Sequence, residues 1–279
     1  MSNASLRLLE RETVPEDIRG MMTLMAARAR VGMGFHGETL PPGLRPDRVE
    51  ELHQDVRRDP TMPHGLVGIY VQELVTGGAI EMVYVPAGDF VYGSRDDDAD
   101  AYTDEKPQAI VHLPGFYTSR GPVSEHLLRG TLGEKASHPA VNLSWHDATE
   151  WATKNKLSLL SEAQWEKTAR GTDGRKFAWG DDLDGERMNY YVTPHGKGTT
   201  PIGNFPRGAS PYGALDCNGN VWDWCQDVYS ERRLLQHSTA ARVLRGGSWY
   251  DDPQNCRSAF RCSDDPGYRI VFFGFRVSR

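Results

Sequence analysis

Residues 243–279 read VLRGGSWYDDPQNCRSAFRCSDDPGYRIVFFGFRVSR. Two kinds of segment alternate along this stretch. The first kind is made of residues with strong backbone or packing roles: Arg245-Gly246-Gly247-Ser248-Trp249, Pro253, Cys256-Arg257-Ser258-Ala259, Arg261, Pro266-Gly267, Arg269 and Gly274-Phe275-Arg276. The second kind follows no pattern: Tyr250, Asp251, Asp252, Asn255, Phe260, Cys262, Ser263, Asp264, Asp265, Tyr268, Ile270, Val271, Phe272 and Phe273. Gly246 and Gly247 permit a backbone geometry or a close approach that a side chain would block. Arg257, Arg261, Arg269 and Arg276 carry forked guanidiniums, each able to bind several carbonyl oxygens. In a loop-rich fold such arginines satisfy buried carbonyls that no strand reaches. Ile270 to Phe273 give no period-two polarity, so at a surface they would form an aromatic and β-branched contact patch.

Working outward, the chain of 279 residues is long enough for one large domain or for a domain with an extension. A net charge of -6 gives no electrostatic footprint for nucleic acid. No apolar run reaches the length of a membrane span. The opening MSNASLRLLERETV has acidic residues and no apolar core, so no signal peptide is visible. Cys217, Cys225, Cys256 and Cys262 are too few for a disulfide scaffold and lack zinc spacing, which predicts reduced thiols. Residues 1–65 read as an N-terminal helical extension. Ile18 to Val31 has helical composition, and Asp47 to Val56 places Val49, Leu52 and Val56 at helical spacing behind Asp47 as N-cap.

Residues 66–279 read as the main domain. Short strands are predicted over Leu66–Leu74, Ile80–Val85 and Gly88–Tyr92. Arg95 to Lys106 reads as an acidic, solvated loop. Helices are predicted over Asp147–Lys156 and Ser161–Arg170, the second opened by a Ser161/Gln164 capping box. Beyond Arg170, Gly and Pro punctuation implies short strands and structured loops.

Six motifs in order resemble the formylglycine-generating enzyme and sulfatase-modifying-factor family. They are Glu81 to Phe90, His138 to Ala148, Leu160 to Glu166 with Phe177-Ala178-Trp179-Gly180, Gly219 to Trp224, Arg245 to Trp249, and Gly274-Phe275-Arg276. The resemblance implies an α+β fold of the C-type-lectin-like kind, with two helices, a small twisted sheet and extensive loops. It also raises an oxidase activity that relies on copper and a C-x4-C cysteine pair just after the Gly-Gly-Ser anchor. Here that stretch holds Cys256 alone, and Cys262 lies six residues on, a spacing that cannot assemble a thiolate pair for a soft metal. A related branch of sulfoxide synthases uses metal-binding histidines in an N-terminal bundle. His36, His53 and His64 show no such pairing, and His146 with Glu150 is an isolated i, i+4 pair. The resemblance further implies a calcium site at Asp216, Gly219, Val221 and Asp223, where two carboxylates and two carbonyls would suit a hard cation. No cofactor is otherwise required.

The closing anchors also resemble the variable proteins of diversity-generating retroelements. In those systems a reverse transcriptase mutates adenines, turning AAC codons into NNC codons, which never encode Lys, Glu, Gln, Met or Trp. None of these types occurs among the fourteen patternless positions above. Because those types make up about a fifth of ordinary sequence, that absence would arise by chance roughly once in twenty. Gln254 would break the rule and is left outside the set. The resemblance implies a ligand-binding protein with a variable region at about 245–279. Its partner would be a variable protein or another macromolecule rather than a nucleic acid. The alternative is an oxidoreductase of the formylglycine-generating type with an altered metal site centred on Cys256. If varied side chains lie at the surface, change there spares the core, where substitutions cost about 2–5 kcal/mol. The aromatic and small polar types in the set also resemble those of an antibody paratope.

Overall fold

The computed structural model describes residues 16–192, 197–230 and 241–279. The first fifteen residues of the expected N-terminal extension therefore lie outside the described residues. Helix α1 spans Glu16–Arg30, and strand β1 spans Leu44–Glu51. Strands β2 (Leu66–Glu73), β3 (Ala79–Val85), β4 (Gly88–Tyr92), β5 (Ala109–Leu113) and β6 (Phe116–Ser119) follow. Next come α2 (Glu125–Arg129), α3 (Trp145–Lys154), β7 (Ser158–Leu159) and α4 (Glu162–Arg170). The chain ends in β8 (Trp222–Val228), β9 (Arg242–Arg245), β10 (Arg261–Asp264), β11 (Phe273–Phe275) and β12 (Val277–Ser278).

One sheet runs β1-β2-β3-β6-β12-β7, a second runs β10-β9-β8-β11, and β4 pairs with β5. The pairings are antiparallel except β11 with β8. The six-stranded sheet is buried on both faces, which is why β2 reads as an unbroken apolar run. Leu66 and Tyr70 join one core cluster with Met82 and Tyr117, together with Trp151 of α3. Val67 and Ile69 point the other way, into a cluster with Val83, Phe116 and Trp165 of α4.

Residues 47–56 correct the sequence reading. They form no helix: Leu44–Glu51 is a strand that borders the six-stranded sheet and pairs with β2. The register shifts between Pro46 and Arg48. That bulge lets Leu44 and Val49, an odd number of residues apart, face the same core cluster, so the period of two is hidden. Leu52 and Val56 belong to the other cluster, beyond the strand. Their helix-like spacing to Val49 thus joins residues that serve two separate cores. The extension is also held by Glu38, whose Oε1 accepts from the Tyr70 and Tyr117 hydroxyls at 2.5 and 2.6 Å.

Both longer helices of the main domain begin as their sequences dictate. Ser144 and Asp147 form a reciprocal capping box at α3, as Ser161 and Gln164 do at α4. On α3, Ala148, Trp151 and Ala152 fall at i, i+3 and i+4 and are buried. On α4, the buried residues include Glu162 and Glu166, an expensive arrangement unless each carboxylate is paired.

The partners come from the tail. Arg245 donates to Glu166 and to the carbonyls of Ser258 and Phe260. Arg261 clasps Glu162 through two bonds of 2.7 Å and reaches the Ser230 carbonyl at 2.6 Å. Arg257 clasps Glu105 through two bonds of 2.7 Å and donates to the Asp100 carbonyl. Arg276 binds Asp223 at 2.6 Å and the carbonyls of Leu215 and Asp216. Arg269 differs: it is exposed and holds the Asp147 carboxylate, with no carbonyl. Glu105 departs from the solvated-loop reading of residues 95–106, because it is fully buried.

Burial alone would raise the Glu105 carboxyl, but the Arg257 guanidinium outweighs it and holds the group below its ordinary value. Arg257→Ala leaves that carboxylate buried and uncompensated. It is expected to lower the unfolding free energy by about 3–5 kcal/mol, read by urea denaturation at pH 7. The stabilisation is complete above the unfolded carboxylate's pKa of about 4.3 and is lost as pH falls through the lower folded value. The gap between wild type and variant should therefore close in acid. Arg269→Ala, at an exposed pair, should move the midpoint far less.

Candidate functional site

The site is built on the backbone between these anchors. At Gly246 a Cβ would sit 3.0 Å from the Trp165 ring and 3.1 Å from the Cys217 carbonyl. At Gly247 it would meet Cys256 Sγ at 2.6 Å, and both glycines adopt positive φ. The chain passes here too closely to its neighbours for any side chain.

Beyond the glycines, the patternless segments are fastened by their main chains. The Asp251 carbonyl accepts from Tyr191 N, Pro266 O from Trp145 N, Ile270 O from Asn142 N, and Phe272 O from Trp222 N. Such bonds are indifferent to side-chain identity. The side chains divide: some stand in solvent, whereas Phe260, Cys262, Ile270 and Phe272 pack partly against the main core cluster. Tyr250 is 58% exposed, Tyr268 46% and Val271 54%. Asp252 and Asp265 are exposed, while Asp251, Asn255, Phe260, Cys262, Ser263, Asp264, Ile270 and Phe272 are half-buried.

Phe273 does not belong with them. It is 5% exposed, lies on β11 and packs edge-on against Trp224 at 5.1 Å, so it is a core residue. Asp251 is only partly free, because its Oδ2 accepts from the Trp222 indole at 2.8 Å and from the Ser248 hydroxyl. Gln254 donates to the Asp100 carbonyl and so ties the tail to the acidic loop.

An aromatic cluster covers one part of this face. Tyr250 stacks on Phe272 with centroids 5.8 Å apart, and Trp249 meets both rings edge-on. Tyr191, outside the tail, joins Tyr250 at 6.2 Å and is 59% exposed. Sequence reasoning missed Tyr191, which lies in a loop far from the tail in sequence.

The thiols do not offer a metal centre. Cys256 is fully buried, and burial pushes its thiol well above the ordinary value. Cys262 is half-buried on β10 and is likewise pushed up by burial. All four cysteines are free.

The predicted cation donors run from a tight loop onto the start of β8, which carries Asp223. Asp216, Gly219 and Asn220 have φ of 53°, 81° and 66°, a run of left-handed backbone that curls the segment on itself. Asp216 Oδ2 accepts from Gly203 N at 2.9 Å. Asp223 Oδ2 accepts from Trp165 Nε1 and Arg276 Nε. Asp223 Oδ1 is buried with no hydrogen-bond partner. Burial raises both carboxyls, and each feels the Arg276 guanidinium, so two carboxylates share one positive charge. Carboxyl and backbone carbonyl oxygens are the donors a hard cation takes, and Asp223 Oδ1 is the one of them left without a partner. Among the described residues no helix is long and apolar enough to cross a membrane.

Comparison with known proteins agrees with this architecture. The chain is 30% identical over 243 residues to the serine/threonine-protein kinase Pkn1 of Chlamydia trachomatis, covering 71% of this chain and 38% of that protein. It is 35% identical over 176 residues to the formylglycine-generating enzyme of Streptomyces coelicolor, covering 54% of this chain and 55% of that enzyme. The chain thus spans only about four-tenths to just over half the length of these relatives. The fold is shared with Treponema denticola variable protein 1, with a TM-score of 0.61 and 21% identity, over 73% of this chain and 96% of that one. The family described as sulfatase-modifying factor enzyme 1-like domain matches residues 72–279, and the chain belongs to it.

Proposed function

We propose that this chain is a ligand-binding protein. Its C-terminal region, about residues 245–279, is diversified by adenine mutagenesis and displays a variable surface on a C-type-lectin-like scaffold. The observation that carries the reading is the division of labour in the tail. Arg245, Arg257, Arg261 and Arg276 are buried and pinned, whereas every patternless position except Phe273 is exposed or half-buried. Loops fastened by main-chain bonds tolerate changed side chains, and aromatics beside small polar residues suit contact with many partners. The partner on this reading is a variable protein or another macromolecule. The name of the Treponema relative, a variable protein, points the same way.

The oxidase alternative needs a thiolate pair. Cys256 stands without a second cysteine at the required spacing, and its thiol is buried. We read the chain as non-enzymatic for that reason. Sequencing the locus in sister isolates tests diversification directly. Differences should fall at codons for the surface positions, traceable to adenines in a nearby template repeat beside a reverse transcriptase gene. Differences scattered over the anchors would refute it.

Stability gives a second measure. Tyr250→Ser, Tyr268→Ser and Val271→Ser should each change the unfolding free energy by no more than about 0.5 kcal/mol. Phe273→Ser should cost about 3–5 kcal/mol. Thermal melts of the four variants decide the matter, and equal losses at Tyr250 and Phe273 would rule out a replaceable surface.

We propose calcium as the cation at Asp216 and Asp223, with the carbonyls of Gly219 and Val221. The single unpartnered oxygen of Asp223 supports this. Calcium at about a hundred times its Kd should raise the unfolding free energy by about 2.7 kcal/mol. Melting curves that coincide in calcium and in chelator would remove the cation from the account.

A further inference from the structure

We propose that the cleft between the acidic loop and the tail is a seat for a cationic side chain, a guanidinium or an alkylammonium, of a protein partner. The inference rests on reading the tail as a binding surface. The cleft has a volume of about 680 Å³ and is lined by Tyr102, Asp104, Tyr229, Asn255, Phe260 and Arg261 among others. Its walls mix aromatic and polar side chains. Tyr102 is half exposed and meets Phe260 edge-on at 5.4 Å. The Tyr229 hydroxyl donates to Asp104 Oδ2 at 2.7 Å.

Two of the aromatic rings already carry an arginine, Arg261 at 4.7 Å from Tyr229 and Arg257 at 5.9 Å from Phe260, which leaves Tyr102 as the aromatic wall with no cation over it among the described residues. The Arg261 guanidinium is spent on Glu162 and on carbonyls of Ser230 and Asp104. That of Arg257 is spent on Glu105 and the Asp100 carbonyl. Asp104 has no Lys or Arg within ion-pair distance among the described residues. The half-exposed Tyr102 ring beside a carboxylate that has no ion-pair partner among the described residues is the chemistry that holds an organic cation.

The seat has a fixed part and a changeable part. Tyr102, Asp104 and Tyr229 lie outside the tail, whereas Asn255 and Phe260 are among the surface positions of the tail. A cation would thus be common to the ligands of different tails, while its neighbours differ.

The test uses the full chain and two fluorescein-labelled peptides of equal length, hexa-arginine and hexa-citrulline, which differ in charge but not in shape. Fluorescence anisotropy at physiological salt should show binding of hexa-arginine only. Tyr102→Ala and Asp104→Asn should each weaken it by about fivefold, the size of a cation–π contact at an exposed site. Asp97→Asn, an equal change of charge at an exposed site on the same loop, should leave it unchanged. Binding of hexa-citrulline with equal strength, equal weakening by Asp97→Asn, or binding of neither peptide would overturn the proposal. Locus sequencing addresses diversification alone, and dependence on Tyr102 and Asp104 addresses the seat alone, so either can fail while the other stands.

Discussion

Everything in the tail depends on buried guanidinium–carboxylate pairing. A charged group cannot stay in a dry interior without a partner, and the pairs are not interchangeable with loose contacts. Arg245 and Arg261 reach two carboxylates one turn apart on α4, and Arg257 and Arg276 reach Glu105 and Asp223. Each fork also collects carbonyls from loops that have no strand to pair with. The arginines thus do for the loops what a hydrogen-bond ladder does for strands. Once they are set, positions such as Tyr250, Asp252, Asp265, Tyr268 and Val271 can face solvent, while Asp251 and Phe273 still hold their neighbours.

Much of this was legible in the sequence, and the exceptions have physical causes. The capping boxes at Ser144 and Ser161 are local, since all their partners lie within three residues, and the Ser161 box could be read directly. The buried arginines were legible as scaffolding because forked donors recur among glycines and prolines. Their carboxylate partners were not, as Glu105 sits in an acidic run whose other members are mostly solvated. Strand β1 was misread because its bulge breaks the period of two, and its apolar neighbours downstream mimic a helical period. Phe273 was grouped with its exposed neighbours because four consecutive apolar residues carry no sign of where the chain turns inward. Tyr191 and Tyr102 were invisible for another reason: only the fold brings them to the tail.

The same scaffold carries enzymes in relatives such as the Streptomyces formylglycine-generating enzyme. On the proposed reading, a small set of side chains near the Gly-Gly-Ser turn would separate a binding face from a reactive centre. With Asp251 held by Trp222 and Ser248, and Cys256 enclosed beneath Gly247, the turn is packed rather than reactive. The architecture is shared, whereas the chemistry resides in what the turn presents.

The spacing of the anchor pairs has a consequence for how the chain folds. Arg245 and Glu166 are 79 residues apart, Arg261 and Glu162 99, and Arg257 and Glu105 152. Contacts so distant in sequence form late, after the loops they close have lost their freedom. The tail's surface side chains are therefore absent from the early nucleus, and changing them should alter escape from the native state rather than the rate of reaching it. New side chains between anchors that dock late would meet a body already assembled and leave the folding of the rest undisturbed.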